Sequence, residues 1–122
     1  IQWLKNKIGP TYTAVHIWYQ DRIIGQMELG RRKPEDEFGY VNLYYLIPDF
    51  RGKGFSSNLD NFATSYLKSL YFKHARLCVS PTNLIAINFY TKHGWRDLGL
   101  RVEADRTGKG LKFPVNYMEK KL

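Results

Sequence analysis

Apolar residues along the chain follow two different periods, and the changes of period divide the chain into predicted elements. Three runs rich in β-branched and aromatic residues, covering residues 13–19, 23–29 and 39–47, are typical of strands. The first two are joined by a short polar turn, which predicts an antiparallel hairpin. From Leu59 to Leu70, apolar side chains recur every three or four residues and predict a helix with one buried face.

The same patterns continue through the second half of the chain. Residues 75–79 read as a short buried strand, and the apolar positions of residues 83–94 predict a second helix that ends at a glycine. Two further strand patterns follow at 95–103 and 111–122, and we expect them to pair with each other. At the other end, apolar residues spaced as in a helix and then a Gly-Pro break predict that the first dozen residues are the tail of a helix.

The predicted order after that helix end is β-β-β-α-β-α-β-β. Hairpins flank a middle part in which helices alternate with strands, which favours an α/β (α+β) fold. The expected sheet is mixed and mostly antiparallel, with helices packed on it and at least one parallel pair around the central helix.

Composition bounds the class of protein. The 122 residues fit one domain, and 43% hydrophobic with 25% charged residues is the balance of a soluble globular protein. The longest apolar runs are too short to span a bilayer, so we expect no membrane segment. The only cysteine, Cys78, cannot form an internal disulfide and favours a cytoplasmic location. The histidines, His16, His74 and His93, are scattered, so we expect no metal site.

The net charge of +8 predicts an anionic partner: nucleic acid, a membrane surface or a small polyphosphate. The densest basic cluster, residues 31–33, is followed at once by an acidic run at 35–37, which favours a solvated loop over a binding patch. No nucleic-acid-binding module is recognisable, although 16% of the residues are aromatic, so we expect no nucleic-acid partner.

The stretch "PDFRGKGFSSNL", from Pro48 to Leu59, lies between a predicted strand and a predicted helix. Glycines in such a turn let backbone N–H groups approach an anion at the positive end of the helix dipole. The spacing matches neither the G-x-x-x-x-G-K-[ST] loop nor the G-x-G-x-x-G fingerprint. Taken alone, the stretch is equally compatible with a plain strand-to-helix turn.

A second segment, "NLIAINFYTKHGW" from Asn83 to Trp95, adds to this interpretation. With "RGKGFSSNL", it resembles the two signature segments of the GNAT N-acetyltransferase superfamily. Arg51 and Gly54 match the family's R/Q-x-x-G-x-G/A loop, although the last position of the motif is Ser56. The resemblance covers about residues 14–122 and implies one GNAT-like domain over 1–122 that lacks the usual first strand and most of the first helices.

The resemblance implies an N-acetyltransferase that moves an acetyl group from acetyl-CoA directly to a primary amine of a small-molecule or peptide acceptor, without a metal. It also allows a homodimer, because edge strands in this fold often pair between subunits. The residues implied in binding coenzyme A are Leu46 and Ile47 along the pantetheine arm, Arg51, Gly52, Lys53, Gly54, Phe55 and Ser56 at the pyrophosphate with Ser57 close by, Asn83 opposite the arm, Lys92 at the nucleotide phosphates, and Tyr90.

Tyr90 is the implied proton donor to the departing thiolate, and a buried core tyrosine is the alternative. Asn83 serves equally well as a helix cap. Many family members carry a glutamate where this chain has Asn42, so Glu28 is the substitute candidate for the general base, with a surface charge as the alternative. The other candidate function is therefore a non-catalytic GNAT-like domain that binds coenzyme A or a protein.

Overall fold

Seven strands and two helices make up the part of the chain that the computed structural model describes, residues 2–8, 12–31, 35–104 and 112–122. The strands are β1 (Gln2–Ile8), β2 (Tyr12–Tyr19), β3 (Arg22–Gly30), β4 (Gly39–Leu46), β5 (His74–Val79), β6 (Arg96–Ala104) and β7 (Lys112–Lys121); the helices are α1 (Phe55–Ser69) and α2 (Leu84–Lys92), and a 3-10 turn covers Pro48–Phe50. The strands form one sheet in the order β1-β2-β3-β4-β5-β7-β6. Only the β4–β5 pair is parallel among the pairs described.

The predicted mixed, mostly antiparallel sheet is confirmed, and so is the order of the eight predicted elements. The β2–β3 hairpin, the β6–β7 pair and the parallel β4–β5 pair all form as expected. Helix α1 crosses from one parallel strand to the next, as a parallel pair requires.

The start of the chain was predicted wrongly. Residues 2–8 are not a helix tail but strand β1, which pairs antiparallel with β2, so a strand precedes the hairpin where none was expected. Three apolar residues in such a short run do not fix a period, and tertiary contacts decide. The ring of Trp3 stacks on that of Phe62 in α1, with centroids 4.4 Å apart.

Helix α1 begins four residues before the first apolar position of its predicted pattern. Gly54 precedes it with a φ of 86°, a left-handed conformation that glycine adopts without a steric penalty. Leu59, Ala63 and Leu67 are buried in the core as predicted, whereas Leu70 lies past the helix end and is 43% exposed.

The feature that positions the functional site is a separation of two neighbouring strands. The parallel strands β4 and β5 are paired only where residues 39–41 face residues 75–77. Beyond Val41, β4 stays paired with β3 and β5 with β7, so the sheet opens between them. The β3–β4 register shifts at Asn42, which marks a β-bulge at the point where the opening begins.

Two predictions fall wholly or partly outside the described residues. Gly108 and Gly110, which stand between the two strands predicted to pair at 95–103 and 111–122, lie outside them, as does most of the basic cluster at 31–33. The described ends of that charged loop are joined by a hydrogen bond from Arg31 Nε to the carbonyl of Asp36, 3.1 Å long. Across the described ranges, no helix combines the length and apolar character needed to cross a lipid bilayer.

Candidate functional site

A cleft of about 750 Å³ occupies the opening between β4 and β5. Its walls are the separated strands, the loop that leads into α1, and one side of α2. The lining residues are Val41, Asn42, Tyr44, Tyr45 and Leu46 of β4, Arg51, Gly52 and Ser56 of the loop and first turn of α1, Leu77, Cys78 and Val79 of β5, then Ser80, Asn83, Ile85, Ala86, Phe89 and Tyr90.

Two tyrosines form the deep part of the cleft. The rings of Tyr44 and Tyr90 meet edge to face with centroids 6.1 Å apart, and Tyr90 also packs edge to face on Trp95. The hydroxyl of Tyr44 donates to the carbonyl of Ser56, 2.6 Å away. By contrast, the hydroxyl of Tyr90 has no hydrogen-bond partner among the described residues. It is therefore available to a molecule in the cleft.

Both phenols keep their protons far above neutral pH. Burial raises the pKa of Tyr90 above its usual value, and the negative charge of Asp60 raises it further. Burial likewise raises the pKa of Tyr44, with smaller contributions from Tyr90 and Asp60. Because an anion is costly in this environment, Tyr90 acts as a hydrogen-bond donor throughout the neutral range.

A buried carboxylate on α1 lies behind the deep part of the cleft that Tyr44 and Tyr90 form. Asp60 is 1% exposed and accepts two hydrogen bonds, from Trp95 Nε1 at 2.8 Å and from Lys120 Nζ at 3.3 Å. Trp95 in turn packs against Tyr90. The Asp60 carboxylate therefore links α1 to Lys120 of β7 and to Trp95, the residue that packs against Tyr90.

We expect Asp60→Ala to lower the free energy of unfolding by about 3 kcal/mol, because the Trp95 N–H and the Lys120 ammonium would lose their buried acceptor. Urea denaturation measures this as a shift of the midpoint. Asp97→Ala is the matched control: Asp97 is exposed and accepts from the Gly99 amide and from Asn116, so its loss should cost about 1 kcal/mol or less. Equal losses in the two variants would contradict the role given to Asp60.

The loop before α1 presents open backbone at the mouth of the cleft. Gly52 and Gly54 have φ values of 73° and 86°, and a Cβ built on either one meets no atom within 4 Å. No side chain caps the start of α1, and its first turn carries no acidic residue. Lys53 places a positive charge in the loop. The helix dipole and the uncapped amides together favour an anion at this point.

Arg51 faces the cleft but is anchored to the end of β4. Its Nε donates to the carbonyl of Leu46 at 2.7 Å, and its guanidinium lies 5.4 Å from the ring centre of Tyr45. The side chain thus fixes the path from the strand into the loop. The guanidinium also adds positive charge to the lining of the cleft.

The end of β4 directs one backbone amide into the opening. The amide of Ile47 donates to the carbonyl of Ile24 on β3, 2.8 Å away. Neighbouring residues of an antiparallel strand alternate in the direction of their backbone groups, so the amide of Leu46 points away from β3, toward the cleft. Of the two predicted backbone contacts, only Leu46 is placed for one, and Ile47 does not line the cleft.

Asn83 caps the start of α2 and lies in the cleft lining, while its contact with coenzyme A stays a prediction. Its Oδ1 accepts from the amide of Ala86 at 3.2 Å, which makes it the N-cap, and it also lines the cleft. The exposed side chain of Ile85 follows on the same rim. Tyr90, farther along the helix, is likewise both a core residue and a wall of the cleft.

The structure gathers about half of the predicted site residues. Leu46, Arg51, Gly52, Ser56, Asn83 and Tyr90 line the cleft, whereas Glu28, Ile47, Lys53, Gly54, Phe55, Ser57 and Lys92 do not. Gly54 and Ser57 stand beside it at the start of α1. Phe55 packs instead against Tyr19 and Phe50.

Glu28 lies on β3 between two fully buried residues, Met27 and Leu29. Side chains alternate between the faces of a strand, so Glu28 points to the face opposite these core residues. Its role as general base stays a prediction.

Cys78 is the clearest residue that the sequence did not point to. It belongs to the buried strand predicted at 75–79, but it lines the cleft and is half-buried. The separation of β4 from β5 exposes it, and nothing in a five-residue apolar run signals that its strand lacks a neighbour there. Within the described lining there is no carboxylate and no histidine. The described residues also contain no group of three metal-ligating side chains.

The sequence of this chain matches the model of the acetyltransferase (GNAT) family over residues 1–95. The chain belongs to the acetyltransferase (GNAT) family. The two segments that resemble the family's signatures, at residues 51–59 and 83–95, therefore lie in a chain of that family. Its fold, with a sheet that opens between β4 and β5, is the GNAT fold. A comparison with curated protein sequences returned no relative.

Solved structures of other GNAT acetyltransferases share the fold at low sequence identity. A GNAT family acetyltransferase from Elizabethkingia anophelis with acetyl-CoA bound superposes with a TM-score of 0.77 at 15% identity, over 92% of this chain and 77% of that one. An acetyltransferase from Bacillus subtilis in complex with CoA gives a TM-score of 0.76 at 16% identity, over 92% of this chain and 78% of that one. An acetyltransferase from Bacillus anthracis in complex with acetyl coenzyme A gives a TM-score of 0.76 at 20% identity, over 96% of this chain and 65% of that one.

Proposed function

We propose that this GNAT family member is an N-acetyltransferase that binds acetyl-CoA in the β4–β5 cleft and passes the acetyl group directly to a primary amine. The observation that carries the proposal is the combination of an open sheet with an uncapped, glycine-led helix at its mouth. Similar proteins from Elizabethkingia anophelis and Bacillus anthracis were crystallised with acetyl-CoA.

The anionic part of the cofactor fits the start of α1. Gly52 and Gly54 leave the backbone amides accessible, and Lys53 and Arg51 add positive charge without an acidic side chain in the first turn of the helix. A pyrophosphate is complementary to this positive charge and offers acceptor oxygens to the backbone amides. This use of the loop also accounts for part of the net charge of +8.

The cofactor supplies an activated acetyl thioester, and the chain supplies two donors near the cleft floor. The amide of Leu46 is directed into the opening and would polarise a carbonyl there, a contribution of about 3 kcal/mol in comparable sites. The Oη of Tyr90 holds a proton, has no competing acceptor among the described residues and would donate it to the departing sulfur.

The attacking amine must be neutral, so a base or a chain of waters has to remove its proton. The described lining offers Asn42 where a carboxylate would serve, and Glu28 lies on another strand and outside the lining. Glu28 acting through water is our proposal for this step. The absence of a carboxylate from the described lining also favours the second candidate, a domain that holds coenzyme A without turnover.

Release of free coenzyme A thiol from acetyl-CoA distinguishes the two candidates. The enzyme is incubated with a panel of amines: polyamines, aminoglycosides, amino acids, and peptides with free N-termini or lysines. Thiol release that depends on one class of amine supports the transferase and identifies the acceptor class. Binding of coenzyme A without amine-dependent release from any class would instead establish a binding domain. A cytoplasmic location and a homodimer stay predictions alongside this proposal.

A further inference from the structure

A serine at the start of α1 and a histidine at the end of α2 are joined side chain to side chain. Ser57 Oγ lies 3.0 Å from His93 Nε2, and His93 Nδ1 lies 2.8 Å from the carbonyl oxygen of Phe89. The imidazole also stacks on the ring of Phe89, with centroids 4.1 Å apart. The ring therefore has a fixed position, and its two nitrogens have different partners.

The partners determine where the hydrogens lie. A carbonyl oxygen only accepts hydrogen bonds, so Nδ1 of His93 must carry a hydrogen. In a neutral ring, Nε2 is then the acceptor, and the single hydrogen of the Ser57 hydroxyl is used in donating to it. In a charged ring, Nε2 donates to Ser57 Oγ, and the serine hydrogen is released to another acceptor.

Ser57 occupies the third position of α1, within the turn whose uncapped amides face the mouth of the cleft. We propose that His93 is a positioning residue whose protonation turns the Ser57 hydroxyl into a donor for a pyrophosphate bound at the start of α1. This inference rests on the proposed function, because it requires the anion of coenzyme A at that place. Binding of the anion is then coupled to uptake of a proton by His93.

The charged side chains on the elements around the Ser57–His93 pair would not produce the same pH dependence. On α1, Asp60 is engaged by Trp95 and by Lys120 of β7. On β6, Arg96 pairs with Glu119. Lys92 on α2 is exposed, and Lys53 lies in the loop that precedes α1. Among the side-chain types present here, histidine is the one that changes charge between pH 5 and 8.

The test is isothermal titration calorimetry with dephospho-coenzyme A at pH 5.5 and pH 7.5. This probe keeps the pyrophosphate but lacks the 3′-phosphate, a phosphomonoester that itself titrates near pH 6. We expect the wild-type protein to bind it about tenfold more tightly at the lower pH, the effect of one hydrogen bond to a charged acceptor. Titrations in two buffers of different ionisation enthalpy should show proton uptake.

Three variants distinguish the effect of the Ser57 hydroxyl from that of the charge on His93. Ser57→Ala and His93→Gln should each bind with the same affinity at both pH values, whereas His74→Gln, which changes a histidine at the start of β5, should keep the tenfold dependence. Unfolding midpoints confirm that each variant is folded. A pH dependence that persists in Ser57→Ala would mean that His93 acts as a direct charge, and would overturn the proposal.

Equal wild-type affinities at the two pH values would overturn it as well, while leaving coenzyme A binding intact. No binding of dephospho-coenzyme A by any of the proteins would overturn both this inference and the proposed function.

Discussion

Replacing Gly54 with leucine is expected to abolish the stabilisation of the protein by acetyl-CoA. The φ of 86° at this residue puts a side chain into a strained backbone conformation, at a cost of about 1–2 kcal/mol. More importantly, the side chain would fill the open space beside the amides of α1 where we propose that a pyrophosphate binds. A Cβ built on Gly54 meets no atom there within 4 Å. The measurement is the unfolding midpoint with and without acetyl-CoA.

For the wild-type protein, acetyl-CoA at one hundred times its dissociation constant should contribute about 2.7 kcal/mol. Gly99→Leu provides the matched control. Gly99 lies in β6 with a φ of 99° and equally open space around a built Cβ, so the backbone strain is similar while the cleft is untouched. Gly99→Leu should lower the midpoint of the free protein but keep the full shift with acetyl-CoA. If Gly54→Leu kept that shift too, the anion would bind elsewhere.

Tyr90→Phe is expected to lower kcat about 10²-fold, the usual contribution of a positioned general acid, with a change of no more than a few-fold in acetyl-CoA affinity. The variant keeps the ring contacts with Tyr44, Phe89 and Trp95 and removes only the hydroxyl. Because that hydroxyl has no partner among the described residues, its loss should cost little stability. Steady-state kinetics with the best amine of the panel measure the effect.

The comparison is Tyr66→Phe, the same chemical change outside the cleft. The hydroxyl of Tyr66 donates to Thr13 Oγ1 at 2.9 Å, so its removal should cost about 1 kcal/mol of stability. Its kcat should stay at the wild-type value. The pKa of Tyr90 is raised by burial and by Asp60, so its proton is retained through neutral pH and kcat should show no alkaline fall from this group. A Tyr90→Phe enzyme with wild-type kcat would remove the residue from the mechanism.

The sequence predicted most of the fold because its strands and helices differ in apolar period. The helical period from Leu59 to Leu67 and the short apolar run at 75–79 can each be read within the residues of their own element. Strand β1 was missed for the opposite reason. Its seven residues carry no clear period, and its conformation is set by pairing with β2 and by Trp3 stacking on Phe62.

From the residues alone, the candidate site was predictable only where a motif fixes backbone geometry. Leu46 and Tyr90, which also line the cleft, were implied by the family resemblance. The glycines of the loop and the cap residue Asn83 were identified because turns and helix starts require those residue types. Cys78 and the Ser57–His93 hydrogen bond were not, because both depend on how distant elements meet. The buried Asp60 gave no signal either, since its partners Trp95 and Lys120 are 35 and 60 residues away in sequence.

Titration of the wild-type protein with acetyl-CoA in a calorimeter tests the central claim most directly, namely that the β4–β5 cleft of this GNAT protein is an acetyl-CoA site. Gly54→Leu is titrated in parallel. We predict one site per chain for the wild-type protein and at least a tenfold weaker interaction for the variant. Absence of binding to the wild-type protein at millimolar acetyl-CoA, or equal affinity in both proteins, would contradict the claim.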